Sequence, residues 1–119
     1  MVFLLYVRNP TAGPISDIRI NDNLAETAFQ YVNSSLVRTS AATPPADAAT
    51  DLEIFNATAP GTGTPLTDAI DGDVASADDT GGLPDKDRIT IGAVSGQVNA
   101  PLTIPGHAAF GLRFKVTVR

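Results

Sequence analysis

The side chains best equipped for chemistry in this chain are carboxylates. Asp68, Asp71, Asp73, Asp78, Asp79, Asp85 and Asp87 crowd into residues 68–87, with Lys86 as their only basic neighbour. That stretch carries a net charge of −6 and all other residues together +1, so the overall −5 is a property of one segment. Carboxylates held close together repel, and a hard cation such as Ca²⁺, which takes about six to eight oxygen ligands, offsets that repulsion. Asp68, Asp71 and Asp73 are the candidate ligands, because Ile70-Asp71-Gly72-Asp73 reads as a tight turn able to aim two carboxylates and a backbone carbonyl at one point. The spacing lacks the Asp-x-Asp-x-Asp-Gly frame and the closing Glu of an EF-hand. A solvated acidic loop is the plainer reading of the same residues.

Other chemistry-bearing residues fail for want of partners. His107 is the single histidine and follows Pro105-Gly106 in what should be an exposed turn. A nucleophilic triad needs a nucleophile, a base and an orienting acid in contact, and zinc needs several nitrogen or sulfur ligands. With one histidine and no cysteine, the chain supplies neither set. Paired carboxylates hydrolyse glycosidic bonds only in a cleft that raises the pKa of one of them, which a surface loop does not do. Gly61-Thr62-Gly63 and Gly81-Gly82 lack the lysine of a phosphate-binding loop and read as turns. The acidic balance disfavours nucleic acid, whose affinity comes from Lys and Arg, and the lack of Trp removes the best sugar-stacking platform. Asn33-Ser34-Ser35 and Asn56-Ala57-Thr58 match the N-glycosylation pattern, which matters only for an exported chain. No catalysis and no cofactor beyond Ca²⁺ are expected.

The elements that must position these residues read as strands. A chain of 119 residues, 43% hydrophobic and 18% charged, can build one core, and nine Pro with ten Gly punctuate it as a many-stranded protein requires. No stretch approaches the roughly 20 apolar residues of a membrane-spanning helix. The apolar run from Val2 to Val7 lacks a basic flank before it and meets Arg8-Asn9-Pro10 after it, so it reads as a strand and not a leader. Phe110, Leu112, Phe114, Val116 and Val118 alternate with Gly111, Arg113, Lys115, Thr117 and Arg119, which predicts a closing strand buried on one face. Outward Arg113, Lys115 and Arg119 would protect that strand if it lay at a sheet edge.

Further strands are expected around Asp17–Ile20, where Ile18 and Ile20 share a face, at Phe29–Val32 and Ser35–Thr39 on either side of Asn33-Ser34, at Asp51–Phe55, at Arg88–Val94 and at Leu102–Ile104. Asp22–Val32 also fits a helix with Asp22 as its cap. Residues 40–50 read as a crossing loop, and the thirty-odd residues before Arg88 as one long acidic loop holding a short helix at Thr64–Ile70, with Pro65 at its first position. The chain opens inside one strand and closes inside another. This predicts a single domain over 1–119, cut from a longer polypeptide.

Two blocks carry a family resemblance. Tyr6–Pro14 with Ile18–Leu24 and Phe29–Ser35, and then Ile91-Gly92, Leu102–Gly106 and Phe110–Val118, resemble the opening and the final hairpin of DUF11-type conserved repeat domains. In those domains a strand ends in asparagine, a glycine-bearing turn follows, the next strand ends in Asp-x-Leu, and a Pro-Gly turn leads into the closing strand. Leu24-Ala25 stands where the family commonly has Leu-Pro. The resemblance implies an all-β, immunoglobulin-like antiparallel sandwich of about seven strands, here with one long acidic loop. It further implies a non-catalytic spacer repeated on large secreted or cell-surface proteins, with neighbouring domains of the same polypeptide as its partners. The alternative is an adhesin-like module whose acidic loop, with calcium, meets a surface protein or glycan. Nucleic acid and direct membrane insertion are not expected.

Overall fold

An apolar run at the start of the chain and an alternating stretch at its end build the first sheet. In the computed structural model, which describes residues 1–119, Val2–Asn9 forms β1 and turns Phe3, Leu5 and Val7 toward the core. After the 9–14 turn come β2 (Ile15–Ile18), β3 (Ile20–Asn23), β4 (Phe29–Tyr31) and β5 (Val37–Arg38), then a helix, α1 (Asp51–Ala57). The chain continues through β6 (Thr64–Pro65), β7 (Ala75–Asp78), β8 (Arg88–Ile91), β9 (Ala93–Val94), β10 (Gln97–Val98), β11 (Leu102–Ile104) and β12 (Ala108–Val118). All strand pairs are antiparallel.

β12 is the spine. Along one side it pairs with the whole of β1, from Val2 opposite Lys115 to Asn9 opposite Ala108. Along the other it takes β5 at Leu112–Arg113 and β4 at Val116–Val118, and β6 extends the sheet beyond β5. A second sheet, β3-β8-β7, supplies Ile89, Ile91, Ala75 and Ala77 to the same core, while β11 pairs with β2 and β9 with β10. Phe110, Leu112, Phe114 and Val116 are all buried, as the period-2 reading requires, and Phe3 meets Phe114 edge-on at 5.5 Å. Val118 runs past the core and is 65% exposed. The strand is interior to its sheet and not an edge, so Arg113, Lys115 and Arg119 guard no free backbone.

Five local expectations are corrected. Asp51–Phe55 is helical: Thr50 caps it, its hydroxyl accepting from the Glu53 N–H while the Glu53 carboxylate accepts from the Thr50 N–H, and Asp51 and Glu53 favour the positive end of the helix dipole. The helix covers the outer face of β12 at Gly111. A Cβ there would lie 2.8 Å from Ile54 Cγ2, so only glycine admits Ile54 this closely. Thr64–Ile70 is not helical, because Thr64 and Pro65 pair with Arg38 and Val37 and the rest turns toward β7. Nor is the acidic middle one loop, since β6 and β7 run through it. The expected 88–94 strand breaks at Gly92, whose φ of +79° and 2.1 Å Cβ approach to the Ile18 carbonyl oxygen exclude side chains. The helical alternative for 22–32 gives way to a turn over 25–28 and then β4.

Candidate functional site

The carboxylates of the acidic segment are engaged by groups within the chain. Asp68 has three partners: one oxygen accepts from the Tyr31 hydroxyl at 2.7 Å, the other from the Ser34 N–H at 2.8 Å and from the Lys86 ammonium at 2.7 Å. Burial pushes this carboxyl up, but Lys86, Ser34 and Tyr31 together outweigh it and hold the pKa below its usual value. Burial and the same bond push the Tyr31 phenol up. Asp68 is thus the clasp that joins Lys86 and Ser34 to Tyr31, which lies opposite Val116 on β12.

Asp71 and Asp73 point elsewhere. Thr67 gathers them, its N–H donating to Asp73 at 2.9 Å and its hydroxyl to Asp71 at 2.5 Å, while the Asp73 N–H donates to the other Asp71 oxygen at 2.8 Å. The Thr67 bond leads the effects that lower the Asp71 pKa. Asp71 and Asp73 are brought together and Asp68 is not: no group of three acidic or histidine side chains converges anywhere in the chain. To serve as a third calcium ligand, Asp68 would have to release Lys86.

The remaining acids of the segment are also tied. Asp78 pairs with Arg88 across β7 and β8, Asp85 accepts from Arg119 and from Gln30, and Asp87 accepts from the Thr80 N–H and hydroxyl. Charge concentrated in sequence has become stitching between elements. His107 lies exposed in the β11–β12 turn with φ +52°, its Nδ1 3.4 Å from an Asp47 oxygen, so the turn position is as expected. Asn33 is exposed in a turn, whereas Asn56 lies in α1 and its triplet partner Thr58 is buried against the Phe55 carbonyl.

Two features were not visible as sites in the sequence. Asn9 is fully enclosed: Nδ2 faces the carbonyls of Gly13, Ile104 and Pro105 at 2.9–3.1 Å, and Oδ1 accepts from the N–H and hydroxyl of Thr11. The family pattern marked it only as the end of a strand, yet it fastens the 9–14 turn to the β11–β12 turn. The second is Arg38, half-buried over the Phe110 ring in a small recess, for which one arginine in a short strand gives no signal. The largest hollow, about 470 Å³ between the 43–49 loop and α1, is lined mainly by alanines, with Glu53 its one charged group. Compared with family models, curated proteins and solved structures, the chain matches none.

Proposed function

We propose that this domain is a non-catalytic structural module of a larger secreted or surface protein, an immunoglobulin-like sandwich of the DUF11 type carried among neighbouring domains. The observation that carries this reading is the fastening of the two chain ends. The Met1 ammonium donates to the Val116 carbonyl and the Val116 N–H to the Met1 carbonyl, both at 3.0 Å. Three residues on, Arg119 binds the Glu26 carbonyl, the Ala28 carbonyl and Asp85. The ionic and polar groups of the acidic segment serve this same end, since Asp68 and Asp85 hold Tyr31 and Arg119. A chain that invests its charge in closing its own loops is built to keep a shape.

The strand order supports one way of carrying such a module. β1 and β12 are antiparallel neighbours, so polypeptide on either side enters and leaves at one end of a body 43 Å long. Eleven residues of β12 span about 36 Å at 3.3 Å each, longer than the 29 and 21 Å short axes, so the strand lies along the long one. Successive copies would stand out sideways from a stalk. A string of four copies, measured by small-angle scattering, should lengthen by about one short axis per copy, 21–29 Å. Growth by the full 43 Å would show end-to-end stacking and contradict the arrangement.

The adhesin-like alternative gains nothing from the acidic segment, because Asp68 and Asp85 face the attached end and are already bound. If those residues met a surface protein or glycan through calcium, Asp68 and Lys86 would first have to part.

A further inference from the structure

Of the eight lysines and arginines, five hold a carboxylate: Arg8 with Asp51, Arg19 with Asp17, Lys86 with Asp68, Arg88 with Asp78 and Arg119 with Asp85. Lys115 stands exposed in solvent. Arg113 is committed, its guanidinium 4.6 Å from the Phe55 ring centre and donating twice to the Thr58 carbonyl. Arg38 differs from all of these. Its Nε–H donates to the Thr39 carbonyl at 2.8 Å and its guanidinium carbon lies 5.1 Å from the Phe110 ring centre, yet its two terminal nitrogens make no hydrogen bond. Arg38 lines a recess of about 60 Å³ whose other walls include Ala41, Pro44, Thr103, Pro105 and Phe110.

We propose that this recess is a carboxylate-binding site with Arg38 as its receptor. A guanidinium offers parallel donors that match the two oxygens of a carboxylate. Stacking on Phe110 and the bond to Thr39 fix Arg38 beforehand, so little side-chain freedom is lost on binding. The proline, alanine and phenylalanine walls lower the local dielectric and strengthen the pairing relative to an exposed ion pair. Burial already disfavours the charged form of Arg38, a cost that a bound anion relieves. Because a water needs roughly 10–15 Å³ by the same measure, the recess takes a carboxylate head and the carbon bearing it, and no sugar ring.

Its position suits a ligand from outside. Pro105 and Phe110 lie toward the Asn9–Ala108 end of the β1–β12 ladder, away from Met1 and Arg119. The carboxylate belongs either to an acidic side chain on another polypeptide segment or to a free small acid, and two ligands separate these sources. This site does not depend on the structural role proposed above.

The test is a nitrogen-15 NMR titration of the intact chain with sodium acetate, with sodium chloride at equal ionic strength, and with the peptide Ile-Asp-Gly-Asp-Val. Acetate should give saturable shifts at the Arg38 Nε–H and the Phe110 amide that chloride does not, and Arg38→Gln should abolish them. Peptide binding at least tenfold tighter than acetate identifies an acidic protein segment as the ligand; equal affinity identifies a free small acid. Shifts that never saturate, that chloride reproduces, or that persist in Arg38→Gln overturn the site. Should Arg38→Gln unfold, Arg38→Lys replaces it: the loss of the planar fork should weaken acetate binding several-fold, and undiminished binding counts against Arg38 as receptor.

Discussion

Asn9 is held at the centre of a polar cluster, the two hydrogens of its amide nitrogen shared among three carbonyls on two separate turns while its amide oxygen accepts twice. Truncation to alanine would leave three buried or half-buried carbonyls short of a donor, and unsatisfied groups cost about 1–3 kcal/mol apiece. Asn9→Ala should therefore lower stability by roughly 2–4 kcal/mol in urea melts. Asn9→Asp should be worse at neutral pH, because a carboxylate would face those carbonyls with no donor. Asp68 makes a different prediction. Its folded pKa lies below the ordinary 3.8, so the stability it contributes is present above that value and is lost as pH falls through the lower, folded one. Asp68→Asn should cost about 2 kcal/mol at pH 7 through lost charged hydrogen bonds. Its deficit against the native chain should shrink below pH 3.8 in melts run across acid pH. A constant deficit would mean that the carboxylate's charge is not what holds Tyr31 and Lys86. Neither residue declares its role in the sequence, because both depend on partners far along the chain: Ile104 and Pro105 for Asn9, Tyr31 and Lys86 for Asp68.

At the scale of elements, the two long strands were legible for different reasons: β12 alternates over nine residues, which is hard to produce otherwise, and β1 is a short apolar run cut off by Arg8-Asn9-Pro10. Asp51–Phe55 was misread for the complementary reason: Leu52 and Ile54 mimic period 2 over five residues, too few to separate strand from helix. The stronger signal was the Thr50-x-x-Glu53 box in front of it. Thr50→Ala should cost about 1 kcal/mol and leave the β1–β12 ladder intact, as hydrogen exchange would show by faster amides confined to residues 51–58. The opposite error fell at Thr64–Pro65, where a cap and a first-turn proline were present but pairing with β5 won. Short strands such as β6, β9 and β10 carry two residues each, and no local pattern can announce them. The acidic run obscured β7 in the same way, since Ala75, Ser76 and Ala77 are small residues buried by their neighbours and carry no period of their own.

For the whole molecule, composition and punctuation were enough to establish a β-rich, antiparallel protein with one core. Its partition into twelve strands and one helix was not, because that partition is decided by which strand meets which. Asp68, Asp71 and Asp73 lie in one segment but do not form one site, since spacing shows that carboxylates are near in sequence and not which partner each will meet. The two chain ends lie together, fastened by β1 against β12 and by Arg119 against Glu26 and Asp85. The chain has no cysteine, so spin labels can be placed without interference at Val2→Cys and Val118→Cys, both exposed positions outside the core. Val2 lies opposite Lys115, and three further residues at about 3.3 Å each reach Val118. Pulsed dipolar spectroscopy should therefore give one narrow separation of no more than about 20 Å. A distribution centred near the 43 Å length of the body would place the ends apart and contradict the account.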